Sequence, residues 1–189
     1  DTDVIFYHAV YKELRGKTKK GLTLREDFCG TGIISSEWTK LDKTYKSIGV
    51  DLDPEPMEFG QRNFIDTLTL DQQKRIQLVQ KNVLDRSIPK ADLVVAVNFS
   101  YCLFREREKL KKYFQNVYKS IKPGGLYIID VFGGSQCADE VLDRTKHKGY
   151  TYYWDQKSFD PVSGHADFAI HFRIGKKLYK DVFTYDWRV

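Results

Sequence analysis

The sequence predicts a doubly wound α/β domain: a mostly parallel sheet wrapped by helices, with an antiparallel β appendage near the C-terminus. Three observations lead there. Short β-branched apolar runs alternate with helix-period segments over residues 22–131. The first such run ends in Gly30-Thr31-Gly32 and passes at once into a helical pattern. From Tyr150 onward the period becomes two, with turn residues between the segments.

The elements follow in order. Apolar residues at helical spacing predict a first helix over 4–14, stopped by Gly16. Residues 22–28 read as a strand and 33–41 as the helix behind the glycine turn. A second strand covers 47–51, and Pro54 opens a helix through 63. Strands at 76–79 and 92–97 are followed by a helix over 106–120, closed by Lys122-Pro123-Gly124-Gly125. A fifth strand spans 126–131. Beyond it, 151–157, 166–174 and 178–187 alternate apolar with polar residues, the last two joined by a hairpin turn at Gly175-Lys176-Lys177.

With no repeat, low-complexity tract or long linker, the 189 residues are expected to form one domain. Residues 1–21 would be an N-terminal helix and lid, 22–135 a ligand-binding core and 150–189 antiparallel strands. Hydrophobic residues at 41% and aromatics at 14% argue for a packed interior rather than disorder. The longest apolar runs are too short to span a bilayer, so no membrane association is expected. Cys29, Cys102 and Cys137 are odd in number and far apart, which fits neither a disulfide framework nor a zinc site. They point to a reducing compartment, with cytoplasm the default. No signal pattern opens the chain, and Asp1 in place of an initiator Met suggests a trimmed start. The net charge of +5 comes largely from Lys17, Lys19 and Lys20 and from the run 105–112, where signs alternate as on a solvated helix face. That distribution speaks against an unbroken nucleic-acid stripe.

The chemistry concentrates in Arg25-Glu26-Asp27-Phe28-Cys29-Gly30-Thr31-Gly32. A glycine turn between strand and helix lets a ligand approach bare backbone, at the carboxyl edge where parallel sheets bind ligands. Asp51 ends the next strand, where an acid can accept both ribose hydroxyls of an adenosine. Asp53, just before Pro54, suits helix capping better. A dinucleotide competes for this pattern, with Ser35 in the third glycine position. The acid before the turn, Glu26 or Asp27, argues against it, since it repels pyrophosphate and attracts a sulfonium or an ammonium.

These residues resemble the class I methyltransferases that use S-adenosyl-L-methionine, which implies a Rossmann-like fold. Residues 26–32 look like the first motif, with Glu26 as its acid, and 48–54 like the second, with Asp51 as the ribose acid. Residues 80–85 sit where that family contacts adenine, and 121–125 look like its turn before the fifth strand. The string Arg25-Glu26-Asp27-Phe28-Cys29-Gly30-Thr31 is similar to an uncharacterised bacterial and plant branch. The resemblance implies cofactor contacts from Arg25, Glu26, Phe28, Cys29, Gly30, Thr31, Gly32, Asp51, Leu52, Asn82, Val83 and Asn98. Phe28 departs from the pattern at the first glycine position and Asn82 replaces the usual Asp. Phe28 is expected to reshape the methionine end of the pocket. Arg25 is expected to meet the methionine carboxylate or to pair with a neighbouring acid. The family's closing helix and strand pair are expected beyond Val189.

Methyl transfer from a sulfonium needs alignment, exclusion of water and, for some acceptors, a base. Asn98-Phe99-Ser100-Tyr101 faintly resembles the Asn-Pro-Pro-Tyr motif of enzymes that methylate planar nitrogens, which nominates Asn98 and Tyr101. Asp130 is a candidate base, or a cap for the Gly133-Gly134 turn. Tyr7 and Tyr11 are candidates for a lid, and the four histidines lack ligand spacing, so no metal is expected. The expected acceptor is a small molecule or a protein side chain, with RNA as the runner-up. A cofactor-binding scaffold and an NAD-dependent oxidoreductase are the rivals from other classes.

Overall fold

The computed structural model describes residues 2–16 and 20–189, so Lys17 and Lys19 of the expected basic loop lie outside the described residues. The chain divides into two compact units, one reaching to Ser100 and resuming over Lys111–Asp130, the other made of Tyr101–Leu110 and Val131–Val189. Among the described residues no helix is long and apolar enough to cross a membrane.

The first unit holds α1 (Thr2–Arg15), β1 (Thr23–Asp27), α2 (Ile33–Leu41), β2 (Lys46–Asp51), α3 (Pro54–Gly60), α4 (Leu70–Gln73), β3 (Ile76–Gln80), β4 (Ala91–Ala96) and β5 (Ile121–Ile129). The helix α5 (Arg107–Ser120) supplies it with Tyr113, Asn116 and Val117, buried at helical spacing. Its five strands run β3-β2-β1-β4-β5 and every pairing is parallel. This is the alternating strand–helix architecture the sequence predicts, and α2 falls on the expected 33–41.

Period explains the packing. Val4, Tyr7 and Tyr11 of α1 are buried one and two turns apart, with Leu22, Leu24, Ile34, Trp38, Tyr45, Leu93 and Val95 in the same core. β1 and β4 are buried along their whole lengths, as central parallel strands must be. Charged residues are recruited into this interior. Asp92, 4% exposed, accepts the Thr23 N–H at 3.0 Å and faces Lys122 Nζ at 2.8 Å.

Three details differ from expectation. α3 continues as a π-helical turn over Gln61–Ile65. The short α4 is opened by a capping box between Thr69 and Gln72. β5 begins at Ile121, and its register with β4 skips between Ala91 and Leu93, so residues 122–125 bulge out with Gly124 at φ 75°.

The second unit is a four-stranded antiparallel sheet in the order β6 (Val141–His147), β7 (Tyr150–Phe159), β8 (His165–Ile174), β9 (Lys177–Arg188). The expected hairpin joins β8 to β9, with Gly175 at φ 57°. One face is aromatic: Trp154, Phe168, Tyr185 and Trp187 pack together, and Phe132 meets Phe168 edge-on at 5.3 Å. On the other face His171 is buried, its Nδ1 accepting the Asp181 N–H at 2.8 Å and its Nε2 3.0 Å from Asp155 Oδ2. Those contacts fix the orientation of the ring within the sheet.

Candidate functional site: a glycine turn at the carboxyl edge of the parallel sheet

Successive residues of β1 point to opposite faces of the sheet, and this separates the three charges before the turn. Arg25 and Asp27 face α5. Arg25 is 2% exposed; Nε and Nη2 reach Asp27 at 2.8 and 3.1 Å, while Nη1 donates to Ser120 Oγ and the Pro89 carbonyl. Tyr113 adds a hydroxyl to Asp27 at 3.0 Å. Of its two expected partners Arg25 therefore takes the neighbouring acid, and strand alternation is the reason. Burial raises the Asp27 carboxyl above its ordinary range despite the adjoining guanidinium.

Glu26 faces the other way, toward α2. That helix begins at Gly32, which has no side chain to cap it, and Glu26 Oε2 takes over by accepting Ser35 N–H at 3.0 Å and Ser35 Oγ–H at 2.7 Å. The carboxyl is 3% exposed, and burial pushes its pKa up to about 8; the hydrogen bonds from Ser35 oppose that rise, and Asp51 and Asp27 add to it.

The turn itself bends through three left-handed residues, Phe28 (φ 60°), Gly30 (φ 52°) and Gly32 (φ 67°). Phe28 shows why a glycine suits its place: a side chain in this region costs about 1–2 kcal/mol. Its ring packs against Tyr113 at 5.5 Å, on the Arg25–Asp27 side. A Cβ placed on Gly30 would meet nothing within 4 Å, so the outer surface of the turn is open to a ligand. Cys29 is tucked inward, 5% exposed, its N–H donating to the Val50 carbonyl at 3.0 Å.

Asp51 ends β2 beside this turn. Its Oδ2 accepts the Gly30 N–H at 2.7 Å and its Oδ1 the Asp53 N–H at 3.0 Å. Each oxygen keeps a lone pair for a further donor. Asp53 caps α3 by accepting Glu55 N–H, as its place before Pro54 predicts. Leu52 is exposed next to Asp51, and the Lys81 N–H donates to the Asp51 carbonyl, which brings the end of β3 alongside. There Asn82 is exposed, its Oδ1 holding the Leu84 N–H at 2.9 Å, and Val83 is buried. The free amide hydrogens of such an Asn are the donors left for an adenine edge. An acid at β2, an open glycine turn at β1 and an amide at β3 together fit an adenosyl cofactor.

One residue of this site escapes sequence reasoning. A Cβ on Gly60 would lie 1.7 Å from the Thr31 carbonyl oxygen, so α3 rests directly on the turn and only glycine allows it. The available signal is a glycine inside a helical pattern.

At the end of β4, Asn98 and Phe99 are both left-handed (φ 57° and 55°). Phe99 N–H donates to Asp130 Oδ1 at 3.0 Å, so Asp130 fastens this strained corner. Asn98 and Asp130 line one cleft of the first unit, while Tyr101 belongs to the second unit.

Residues 29–127, just over half of the chain, match the family model described as "Methyltransferase domain". The chain belongs to that family. Solved structures carry the methyltransferase fold along nearly its whole length. The sugar N-methyltransferase KedS8 from Streptoalloteichus sp ATCC 53650 is similar with a TM-score of 0.69 and 16% identity, covering 98% of this chain and 72% of that one. DesVI of Streptomyces venezuelae gives 0.71 and 16%, covering 99% and 81%. An S-adenosylmethionine-dependent methyltransferase from Clostridium acetobutylicum ATCC 824 gives 0.64 and 20%, covering 99% and 80%. No curated protein matches the sequence. The methyltransferase domain takes S-adenosylmethionine as its methyl donor.

Proposed function

We propose that this methyltransferase holds S-adenosylmethionine on the residues 29–32 turn and transfers its methyl group to a small molecule or a protein side chain. The observation that carries the reading is Asp51, whose carboxylate is fixed by the Gly30 N–H at the lip of an open glycine turn. In it Asp51 accepts the ribose hydroxyls, Leu52 and Val83 flank the adenine, and the Asn82 amide reaches its edge. Phe28, Cys29, Thr31 and Gly32 shape the turn, and Glu26 lies beneath it. Glu26 is mostly protonated at neutral pH, and an arriving ammonium favours loss of that proton. Arg25, held by Asp27, supports the turn from behind.

When bound, the cofactor supplies a methyl carbon on a sulfonium, an electrophile that needs no further activation. The chain's task is then to orient the acceptor, through Asn98 and Asp130, and to exclude water. That KedS8 is a sugar N-methyltransferase supports a small-molecule acceptor over RNA.

Calorimetric titration with S-adenosylhomocysteine and, separately, with NADH tests the reading. Micromolar binding of S-adenosylhomocysteine and none of NADH is expected. Binding of NADH alone would move the protein to the oxidoreductases, and a folded protein that binds neither would leave the turn a structural feature.

A further inference from the structure

The cleft at the carboxyl ends of β4 and β5 encloses about 270 Å³ and belongs wholly to the first unit. About half of its lining is apolar, from residues such as Phe6, Ile34, Val97 and Ile128, and its polar groups are Asp3, Tyr7, Asn98 and Asp130. No lysine, arginine or histidine is among the lining residues. Ile34 lies in the first turn of α2, next to the glycine turn, so the cleft adjoins the place assigned to the methyl donor.

Two carboxylates alone would not make a site. The second observation is Tyr7, only 4% exposed, on the buried face of α1 and in the wall of the cleft. Among the described residues its hydroxyl has no hydrogen-bond partner. The ring is buried but the hydroxyl oxygen is not sealed off, and a hydroxyl left open toward a cavity is a docking point for a polar group.

We propose, resting on the methyltransferase reading, that this cleft receives the acceptor as a primary or secondary amine, its N–H groups held by the Tyr7 hydroxyl, the Asp130 carboxylate and the Asn98 carbonyl. The charge pattern selects the class: carboxylates over an apolar floor attract an ammonium and repel a carboxylate or phosphate. Tyr7 acts as a neutral phenol. Burial first, and then the charges of Asp3, Glu26 and Asp130, push its hydroxyl far above the ordinary range, so it orients the nitrogen and does not serve as the base. The ammonium loses one proton to water, the freed lone pair forms the new N–C bond, and the C–S bond breaks with its electron pair left on sulfur. The product ammonium sheds its surplus proton to solvent in turn.

The test uses three probes that differ in one group: cyclohexylamine, cyclohexanol and cyclohexanecarboxylate. Each is titrated into the protein saturated with S-adenosylhomocysteine near neutral pH and followed by protein NMR. The amine is expected to bind about tenfold more tightly than the alcohol, equivalent to one 1.4 kcal/mol step, with the carboxylate weakest. Tyr7→Phe and Asp130→Asn should each remove most of that preference by weakening amine binding. Because Asp130 also fastens the Phe99 backbone, Tyr7→Phe, which removes a single unpartnered oxygen, decides if Asp130→Asn fails to fold. Equal binding of the three probes, no binding of any, or an intact preference in Tyr7→Phe overturns the proposal. Calorimetry with S-adenosylhomocysteine on the same samples separates the two failures: normal cofactor binding confines the error to the acceptor class, and its loss overturns the methyltransferase reading and this proposal together.

Discussion

Glu26→Gln isolates the energetic role of the acid beneath the glycine turn. The wild-type carboxyl has a pKa of about 8 in the folded protein and 4.5 as its ordinary value, so the folded state holds a proton that the unfolded chain releases. Such a group stabilises the fold fully below the lower value and loses that contribution as pH rises through the window toward about 8. One pKa unit corresponds to about 1.4 kcal/mol, and between about pH 6 and pH 8 the loss comes to about 2 kcal/mol after allowing for half-titration at the upper end. Gln accepts the same hydrogen bonds from Ser35 and carries no proton to lose. Glu26→Gln should therefore match the wild type in mild acid and overtake it in mild base. For a chain of this size the divergence amounts to about 4–8 °C in melting temperature. Paired thermal scans at half-unit pH steps read it directly. Parallel curves over that range would mean that the carboxyl ionises normally in the fold, and the burial argument would fail.

Other sites give sharp expectations. Asp51→Ala should weaken S-adenosylhomocysteine binding by about 1–3 kcal/mol in calorimetry, as loss of a charge-assisted acceptor does; unchanged affinity would remove Asp51 from the site. Gly60→Ala drives a methyl group into the Thr31 carbonyl, and urea unfolding should show about 3 kcal/mol or more of destabilisation together with weakened cofactor binding. Asp27→Asn leaves the buried Arg25 guanidinium without its counter-charge and should cost about 3–5 kcal/mol in the same assay, whereas a loss below about 1 kcal/mol would show the pair to be dispensable.

The parallel sheet was legible because each strand–helix unit announces itself locally. Gly30 and Gly32 mark a turn, Pro54 marks a helix start, and Leu93-Val94-Val95 has the composition of a strand buried on both faces. β6 was not legible, since Val141–His147 carries Asp, Arg, Lys and His on an exposed edge and owes its extended form to pairing with β7. The α4 turn is too short for periodicity, although Thr69 and Gln72 of its capping box stand in the sequence. Within the site, Gly30, Gly32 and Asp51 were legible because backbone freedom and a strand-end acid are sequence properties. The facing of Arg25 follows from counting alternation along β1. The contact between Gly60 and Thr31, and the convergence of Asp3, Tyr7 and Asp130 on one cleft, are tertiary facts with no local signature.

Cys29 gives the glycine turn a clock of its own. Its thiol packs where a side chain on Gly49 would come within 2.9 Å of the sulfur, and burial, with the charges of Glu26 and Asp51, holds it protonated far above the usual thiol range. A thiol in that state reacts only when the turn swings open and water reaches it. The rate at which an alkylating reagent labels Cys29 therefore measures how often the cradle unfastens, on timescales that no static contact reveals. A ligand seated on the turn should slow the labelling in proportion to its occupancy. The protein thus carries its own reporter of cofactor residence, readable by mass spectrometry without an acceptor in hand.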